Sequence, residues 1–209
     1  MNDAIIRLKL KQQYNVLTNA QLIEALDNIV KATEHLSSTV DDFRSFYKND
    51  KEKKYFNLED TINKSITLLS SKFNNQKINI EKQIEDIQIL GYKNELIQVF
   101  MNILNNAKDE LTKNDNENKL ISICAYKENS KVIISFQDNA GGIPKDNLPY
   151  IFDNHFTTKE ENDGTGIGLY MSKLIISKIN GKIEASNEIV NYKEKTFTGA
   201  KFVITILAL

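Results

Sequence analysis

Two glycine clusters, Asp138-Asn139-Ala140-Gly141-Gly142-Ile143-Pro144 and Gly164-Thr165-Gly166-Ile167-Gly168-Leu169, determine how this sequence is interpreted. Between them lies a polar loop at 151–159, which contains two aromatic residues, Phe152 and Phe156. Glycines at this spacing leave backbone N–H groups accessible to an anion, and a helix beginning at the second cluster would add the positive end of its dipole. The pattern predicts a mobile lid with glycine hinges over a site for a nucleotide triphosphate.

The residues before the first cluster strengthen this interpretation, since a single glycine cluster would fit a flexible loop equally well. Residues 130–136 alternate between polar and apolar side chains as a β-strand does, which places Asp138 at the end of a sheet. A carboxylate there can accept a hydrogen bond from an exocyclic amine such as that of adenine. An ordinary turn aspartate is the alternative.

Residues 94–111 predict a helix with two chemically different sides, at about 100° per residue. The apolar side chains fall on the side that would face a sheet: Leu96, Phe100, Ile103, Leu104, Ala107 and Leu111. Amides and acids fall on the other side: Glu95, Gln98, Asn102, Asn106 and Asp109. A solvated face would carry mostly Lys and Glu, so this row favours contact with a ligand, although the whole chain is rich in Asn.

In order and spacing, four segments resemble the N, G1, F and G2 boxes of the ATP-binding domain of bacterial sensor histidine kinases. That domain belongs to the superfamily shared with DNA gyrase, Hsp90 and MutL. The segments are 94–111, 138–144, 152–159 and 164–169. The resemblance implies an α/β fold, a two-layer sandwich of the Bergerat type with a mixed sheet of about five strands and three helices. It also implies that ATP and Mg²⁺ are bound.

The resemblance assigns ATP contacts to residues of all four boxes: Asn102, Asn106, Asp109, Asp138, Ala140, Gly142, Ile143, Phe156, Thr157, Thr158, Lys159, Gly164, Thr165, Gly166, Ile167, Gly168 and Leu169. Asn106 matches the family's magnesium ligand, because an amide oxygen can complete an octahedral ion already held by phosphate and water. Lys159, together with Lys108, is expected to neutralise phosphate charge, although Lys159 would also fit an exposed loop. Ala140 stands where the family usually has glycine. A positive φ there would cost about 1 kcal/mol unless Gly141 takes the turn.

Asn102 distinguishes the branches of the superfamily. The gyrase and Hsp90 branch carries a glutamate four residues before the metal-binding asparagine, as the general base for water. An amide cannot take that proton, so Asn102 predicts poor hydrolysis and leaves the phosphoryl group for a histidine acceptor. We therefore expect Asn102 and Lys159 to be the catalytic residues.

Residues 20–48 predict a long helix with a heptad seam, because apolar residues recur at intervals of four and three. The seam consists of Leu22, Leu26, Ile29, Thr33, Leu36, Val40 and Phe43. With the shorter helix predicted at 3–14, it resembles the dimerisation and phosphotransfer hairpin of histidine kinases. We expect a truncated hairpin at 1–50 whose first helix begins upstream of Met1, a linker at 51–54 and the ATP-binding domain at 55–209. The hairpin implies a homodimer.

Neither histidine fits the family's phosphoacceptor pattern, which is His, then an acid, then Pro five residues after the His. His35 is followed by Leu36 and has Val40 where Pro belongs, and His155 lies in the polar loop. The chain is therefore predicted to bind ATP without phosphorylating itself. For the complete enzyme the resemblance implies a response regulator as partner.

Composition excludes several other classes of protein. The chain has 209 residues, of which 41% are hydrophobic, which is enough for a hydrophobic core. Its net charge of -1 indicates balanced surface charges and no basic surface for nucleic acid. Its apolar runs are too short to span a bilayer and no secretory leader is present, which predicts a cytoplasmic location for this piece, although the parent protein could be membrane-anchored. Cys124 is the single cysteine, so disulfides are excluded.

Three alternatives to a histidine kinase stay open. An ATPase of the gyrase or Hsp90 type would release phosphate steadily. A serine kinase that regulates a sigma factor would modify an added protein on serine. A non-catalytic dimerisation module would use the hairpin alone and would not bind nucleotide.

Overall fold

The computed structural model describes residues 21–30, 33, 52–113, 117–158 and 166–208. The chain divides into two compact units. Of the described residues, 21–30, 33, 157 and 158 belong to the first unit, and 52–113, 117–156 and 166–208 belong to the second. Within these ranges, no helix has the length and apolar character needed to cross a membrane.

The described N-terminal residues are helical, as the sequence predicts. Residues 21–30 form helix α1, and Thr33 donates its hydroxyl hydrogen to the carbonyl oxygens of Ile29 and Val30, each at 2.8 Å. The seam residues Leu22 and Leu26 are exposed, at 42% and 52%. Four further predictions lie outside the described residues: the helix at 3–14, the rest of the seam at Leu36, Val40 and Phe43, the placement of His35, and the linker residue Lys51. The predicted domain boundaries stay predictions.

The second unit contains seven strands and three helices in its described part. In chain order they are β1 (Lys54–Asn57), α2 (Leu58–Asn75), β2 (Asn79–Ile84), β3 (Gln88–Gly91), α3 (Lys93–Lys113), β4 (Leu120–Glu128), β5 (Lys131–Asp138), α4 (Gly168–Lys178), β6 (Lys182–Tyr192) and β7 (Lys195–Leu207).

Five strands form the main sheet, in the order β2-β4-β5-β7-β6. Strands β2 and β4 are parallel, and the other neighbours are antiparallel. Strands β1 and β3 form a separate antiparallel pair. The predicted two-layer α/β sandwich, with a mixed sheet of about five strands and three helices, is confirmed.

The hydrophobic core lies between the helices and one face of the main sheet. On β5 every second residue points into it, as the two-residue period of a strand requires, and Phe136 is one of them. The predicted apolar side of α3 is buried, and the ring centroid of Phe100 lies 5.3 Å from that of Phe136. This packing fixes α3 against the strand that ends at Asp138.

Side-chain and glycine caps set the ends of two helices. The sequence predicts both, because Asn57 precedes two acids as at a helix start and Asn180-Gly181 is typical of a helix end. At the start of α2, the Asn57 side chain accepts a hydrogen bond from the Asp60 N–H at 3.1 Å. At the end of α4, Asn180 has a φ of 58° and the Gly181 N–H donates to the Ile176 carbonyl oxygen at 2.9 Å.

One packing prediction on α4 is wrong. The sequence predicts a helix from about residue 167 to 179 that packs Leu169, Leu174, Ile175 and Ile179, but Leu174 is 41% exposed. The buried residues of this helix are Ser172, Ile175 and Ile176, and position 174 faces away from them. Because successive residues of a helix are about 100° apart, Leu174 lies off the side that buries Ile175 and Ile176.

The β6–β7 hairpin is longer than predicted. The sequence predicts the last two strands of the sheet at 182–186 and 201–207, whereas both strands extend to a two-residue turn at Lys193 and Glu194. These two residues have φ of 46° and 61°, as a type I′ turn requires. Strand β5 pairs with β7 only as far as Lys201, so the outer part of the hairpin extends beyond β5. We call residues 187–200 the hairpin arm.

Candidate functional site

Asp138 is the last residue of β5, and only 4% of it is exposed. Its Oδ1 atom accepts hydrogen bonds from the N–H groups of Ala140 at 2.9 Å and Ala200 at 3.1 Å. Both bonds reach the same oxygen, and no donor in the described ranges reaches Oδ2. Oδ2 takes part in neither of these bonds.

Burial raises the pKa of the Asp138 carboxyl from its ordinary value of 3.8 to about 6, because desolvation penalises the charged form. The two backbone N–H groups lower this pKa, and the negative charge of Glu110 raises it. Glu110 lies on α3, one helical turn after Asn106. The helix that carries the predicted magnesium ligand is thus electrostatically coupled to Asp138.

The first glycine cluster forms a turn in which Gly141 and Gly142 have φ of 104° and 82°. Such angles favour glycine, because an L side chain is strained there. Ala140 is not among the described residues with positive φ, so its methyl group carries no strain of this kind. The positive angle falls on Gly141 instead, and the Gly141 N–H donates to the Thr198 carbonyl oxygen at 2.9 Å.

Two asparagine side chains hold this turn, and sequence reasoning identified neither. Asn139 is buried; its Oδ1 accepts from the Leu120 N–H at 2.9 Å and its Nδ2 donates to the Asn118 carbonyl oxygen at 2.7 Å. Asn187 on β6 bonds both backbone groups of Ile143, accepting from the N–H and donating to the carbonyl oxygen at 2.7 Å each. The only signal for Asn187 was an asparagine in a segment predicted to lie near a strand, where this residue type is depleted.

Asn102 connects α3 to the second glycine cluster. Its Nδ2 donates to the Gly168 carbonyl oxygen at 3.0 Å and to the Ser172 hydroxyl at 3.3 Å. The buried Ser172 in turn donates to the same carbonyl oxygen at 2.9 Å. Because Gly168 is the first residue of α4, the amide holds the start of α4 against α3. Its predicted roles in ATP binding and catalysis stay predictions.

Asn106 and Asp109 are partly exposed residues of α3. Lys108 forms an ion pair with Asp109, which offsets the charge that Lys108 could present to a phosphate. Within the described ranges, no group of three or more His, Cys, Asp or Glu side chains could hold a metal ion. A magnesium ion at Asn106 would therefore need most of its ligands from phosphate and water.

The prediction that Glu95 lies on a ligand-facing side of α3 is wrong. Glu95 is buried, and its Oε1 lies 2.7 Å from the Lys178 Nζ on α4. The same Nζ lies 4.2 Å from the centroid of the Tyr92 ring. Helix α4 covers this side of α3, so the acid and the base connect two helices.

Gly166 lies against the backbone of His155. It has a φ of 64°, and a Cβ there would come within 2.5 Å of the His155 carbonyl carbon. His155 itself is exposed, as predicted. After Gly166, Ile167 precedes α4 and Leu169 is partly exposed in its first turn.

The two aromatic residues of the loop are anchored by other rings. Phe152 meets Phe202 edge-on at 6.3 Å between centroids, and Phe156 lies 6.3 Å from Tyr150. Thr157 and Thr158 are exposed and belong to the other compact unit, so their assignment to the ATP site stays a prediction. Three further predicted site residues lie outside the described residues: Lys159, Gly164 and Thr165.

The family profile, the sequence relatives and the solved structures that this chain matches include histidine kinase-type proteins. The sequence profile of the histidine kinase-, DNA gyrase B-, and HSP90-like ATPase family matches residues 91–208. The sensor protein KdpD of Clostridium acetobutylicum is 32% identical over 189 residues, which are 83% of this chain and 20% of that protein.

Solved structures show the same similarity. The nucleotide-free catalytic domain of histidine kinase ThkA matches with a TM-score of 0.61 and 28% identity, over 75% of this chain and 95% of that one. ThkA in complex with the response regulator protein TrrA has the same fold, with a TM-score of 0.66 and 23% identity, over 99% of this chain and 57% of that one.

Proposed function

Because the chain belongs to the histidine kinase-, DNA gyrase B-, and HSP90-like ATPase family, we propose that residues 55–209 bind ATP and donate its γ-phosphoryl group to a histidine of a two-component sensor kinase. The observation that carries the proposal is the buried Asp138 carboxylate with Oδ2 left for a ligand. A carboxylate oxygen accepts from the amino group of adenine, whereas the carbonyl group at the same place in guanine offers it no donor.

The phosphate end of the nucleotide is assigned to the second glycine cluster. Gly168 begins α4, and a helix N-terminus presents unpaired N–H groups and the positive end of its dipole to an anion. Asn102 holds Gly168 in place. We assign Lys159, Gly164 and Thr165 to the same end, with Lys159 neutralising the transferred phosphate.

Magnesium, when bound with ATP, supplies charge neutralisation on the phosphates. Asn106 is the residue of this chain that would hold it, through its amide oxygen. Asn106 suits this role because it is partly exposed and lies one turn before Glu110, which is coupled to Asp138.

Transfer to histidine is favoured over hydrolysis by the residue at position 102. An amide has no basic atom with which to take a proton from water. The Asn102 nitrogen, moreover, already donates to Gly168 and Ser172. Steady release of phosphate from ATP is therefore expected to be slow.

We propose a second copy of the chain and a response regulator as partners, in the cytoplasm where ATP is supplied. Apolar side chains on α1 are exposed, which suits a helix that completes a bundle with another copy: Leu22, Ile23, Leu26 and Val30. Sedimentation equilibrium should give twice the chain mass of 23.9 kDa, and Leu26→Glu should shift it towards the monomer. The histidine kinase ThkA forms a complex with a response regulator.

Calorimetric titration with ATP and Mg²⁺ tests the nucleotide assignment. We expect one site for ATP and at least about tenfold weaker binding of GTP and of ATP to the isosteric variant Asp138→Asn. The matched control is Asp146→Asn, which changes an exposed aspartate in the next turn and should leave the affinity unchanged. Failure of the unaltered chain to bind ATP would refute the proposal.

Incubation with ATP labelled at the γ-phosphate tests the acceptor assignment. No label is expected on the chain, because neither histidine fits the acceptor pattern. Acid-labile label on His35 or His155 would contradict this expectation. Phosphate release at the rate of a dedicated ATPase would contradict the kinase assignment.

A further inference from the structure

The hairpin arm crosses the end of the main sheet. Strands β6 and β2 form the two opposite edges of this sheet. At the tip of the arm, however, the Tyr192 hydroxyl accepts a hydrogen bond at 3.0 Å from the Nδ2 of Asn79, the first residue of β2. The arm must therefore pass the strand ends that lie between the two edges, including the end of β5 at Asp138.

On its way the arm contacts the first glycine turn at two points besides the Ala200 bond to Asp138. The Thr198 carbonyl oxygen accepts from the Gly141 N–H at 2.9 Å. The Asn187 side chain bonds both the N–H and the carbonyl oxygen of Ile143. The arm thus fixes the turn through backbone and side-chain hydrogen bonds.

The fit between Asn187 and the turn is close. A Cβ at Gly142 would come within 2.7 Å of the Asn187 Oδ1 and 3.2 Å of the Thr198 Cγ2. A side chain at position 142 would therefore push the amide away from Ile143. The glycine is required here by its neighbours as well as by its positive φ.

We propose that Asn187 is a positioning residue of the nucleotide site, which orients the first glycine turn through its paired hydrogen bonds to Ile143. The inference rests on the proposed function. Asn187 acts through the backbone of Ile143, and the bond between Tyr192 and Asn79 keeps the arm in place. A side-chain amide suits this role, because it donates and accepts in the manner of a peptide group. A turn that is already ordered loses less entropy when ATP binds.

Two Asn187 variants of the whole chain separate the hydrogen bonds from packing. Asn187→Ala removes both bonds. Asn187→Asp keeps the shape but places a carboxylate oxygen against the Ile143 carbonyl oxygen. We expect each to weaken the binding of ATP with Mg²⁺ by about tenfold in calorimetry, with no change in the midpoint of urea unfolding, because Asn187 is exposed.

The matched control is Asn191→Ala. Asn191 is an exposed asparagine on the same strand, and it accepts a hydrogen bond from the Thr196 hydroxyl at 2.9 Å rather than from the glycine turn. Its replacement should change ATP affinity by less than about twofold. Tyr192→Phe, which removes the acceptor at the tip, should weaken binding by about two- to threefold.

Hydrogen exchange of the Ile143 amide, followed by NMR without nucleotide, reports the paired bonds directly. Exchange should be slow in the unaltered chain and in Asn191→Ala, and fast in Asn187→Ala. If the unaltered chain binds ATP and both Asn187 variants bind it equally well, the inference fails alone. An equal loss in Asn191→Ala also overturns it, since the effect would then belong to the arm in general. If the unaltered chain does not bind ATP, the proposed function fails and the inference with it.

Discussion

The side-chain nitrogen of Asn102 on α3 lies 3.0 Å from the carbonyl oxygen of Gly168, the first residue of α4. This bond joins the helix that carries Asn106 to the second glycine cluster, which we assign to the phosphates. It needs a donor at position 102. In the gyrase and Hsp90 branch of the superfamily, this position carries a glutamate. An ionised glutamate could not donate a hydrogen bond to Gly168.

Asn102→Asp should weaken this connection without changing the size of the side chain. A carboxylate would face the Gly168 carbonyl oxygen and lose both donated bonds, which we expect to lower the free energy of unfolding by about 1 to 3 kcal/mol. ATP affinity should fall as well, because the start of α4 is no longer held. Urea unfolding and calorimetry measure the two effects.

Asn105→Asp is the control for the added negative charge. Asn105 is a partly exposed residue of the same helix, three positions further along. This variant should change the free energy of unfolding by no more than about 0.5 kcal/mol. Equal effects of the two variants would mean that the added charge, and not the bond to Gly168, decides the outcome.

Asp138 should make the stability of the nucleotide-free protein depend on pH. Its folded pKa of about 6 lies above the ordinary value of 3.8, so between these values the folded state keeps a proton that the unfolded chain releases. The stability from this group is fully present below the unfolded pKa and is lost as the pH rises through the folded pKa. At roughly 1.4 kcal/mol per pH unit, the total loss is about 3 kcal/mol.

Asp138→Asn isolates this effect from the other carboxyl groups. The variant cannot ionise at position 138, so its stability relative to the unaltered chain should increase as the pH rises across the interval between the two pKa values. Urea unfolding at several pH values within and around that interval measures the difference. Parallel stability curves for the two proteins would contradict the prediction.

The fold could be predicted from the sequence because its main elements carry a strong period. The apolar side chains of α3 recur at helical spacing, and those of β5 alternate, so both buried faces were identified correctly. The caps at Asn57 and Gly181 are local signals that a few neighbouring residues decide. The position of Asp138 follows from where its strand ends.

The misses at Glu95 and Asn187 have a common physical cause, which is contact with a neighbour distant in sequence. A helical wheel gives α3 one buried side, but α4 buries Glu95 from another direction. Asn187 and Ile143 are 44 positions apart in the chain, so no local pattern relates them. Among the described strands, the two strands of the hairpin arm form a ladder only with each other, so they lack the alternation that marks a core strand.

The ion pair between Glu95 and Lys178 should stabilise the packing of α3 against α4. Lys178→Met leaves the buried carboxylate without this cation, and we expect the free energy of unfolding to fall by about 1 to 2 kcal/mol. This loss of free energy is smaller than is usual for a buried ion pair, because the Lys178 side chain is 40% exposed. Urea unfolding measures the loss.

A second substitution tests whether the loss comes from the pair. In the double variant Glu95→Gln with Lys178→Met, part of the lost stability should return, because the buried negative charge is removed together with its cation. Lys173→Met on the same helix is the control, since Lys173 is exposed and pairs with no carboxylate of the described residues; its Nζ lies 6.0 Å from the Phe152 ring centroid. Additive effects at Glu95 and Lys178 would show that the pair contributes nothing.

Gly199 should tolerate no side chain, because a Cβ there would overlap the backbone carbonyl oxygen of Asp138. The oxygen cannot rotate away as a side chain could, so β7 would have to separate from the end of β5 and the Ala200 N–H would lose Asp138. We expect Gly199→Ala to lower the free energy of unfolding by at least about 3 kcal/mol and to abolish ATP binding by any chain that still folds.

Gly91→Ala is the matched control in another strand, because a Cβ there would meet side-chain atoms of Phe56 and Ile89 at ordinary distances of 3.7 and 3.8 Å. That change should stay within about 1 kcal/mol, and similar unfolding midpoints for the two variants would show that β7 does not need to approach Asp138 so closely.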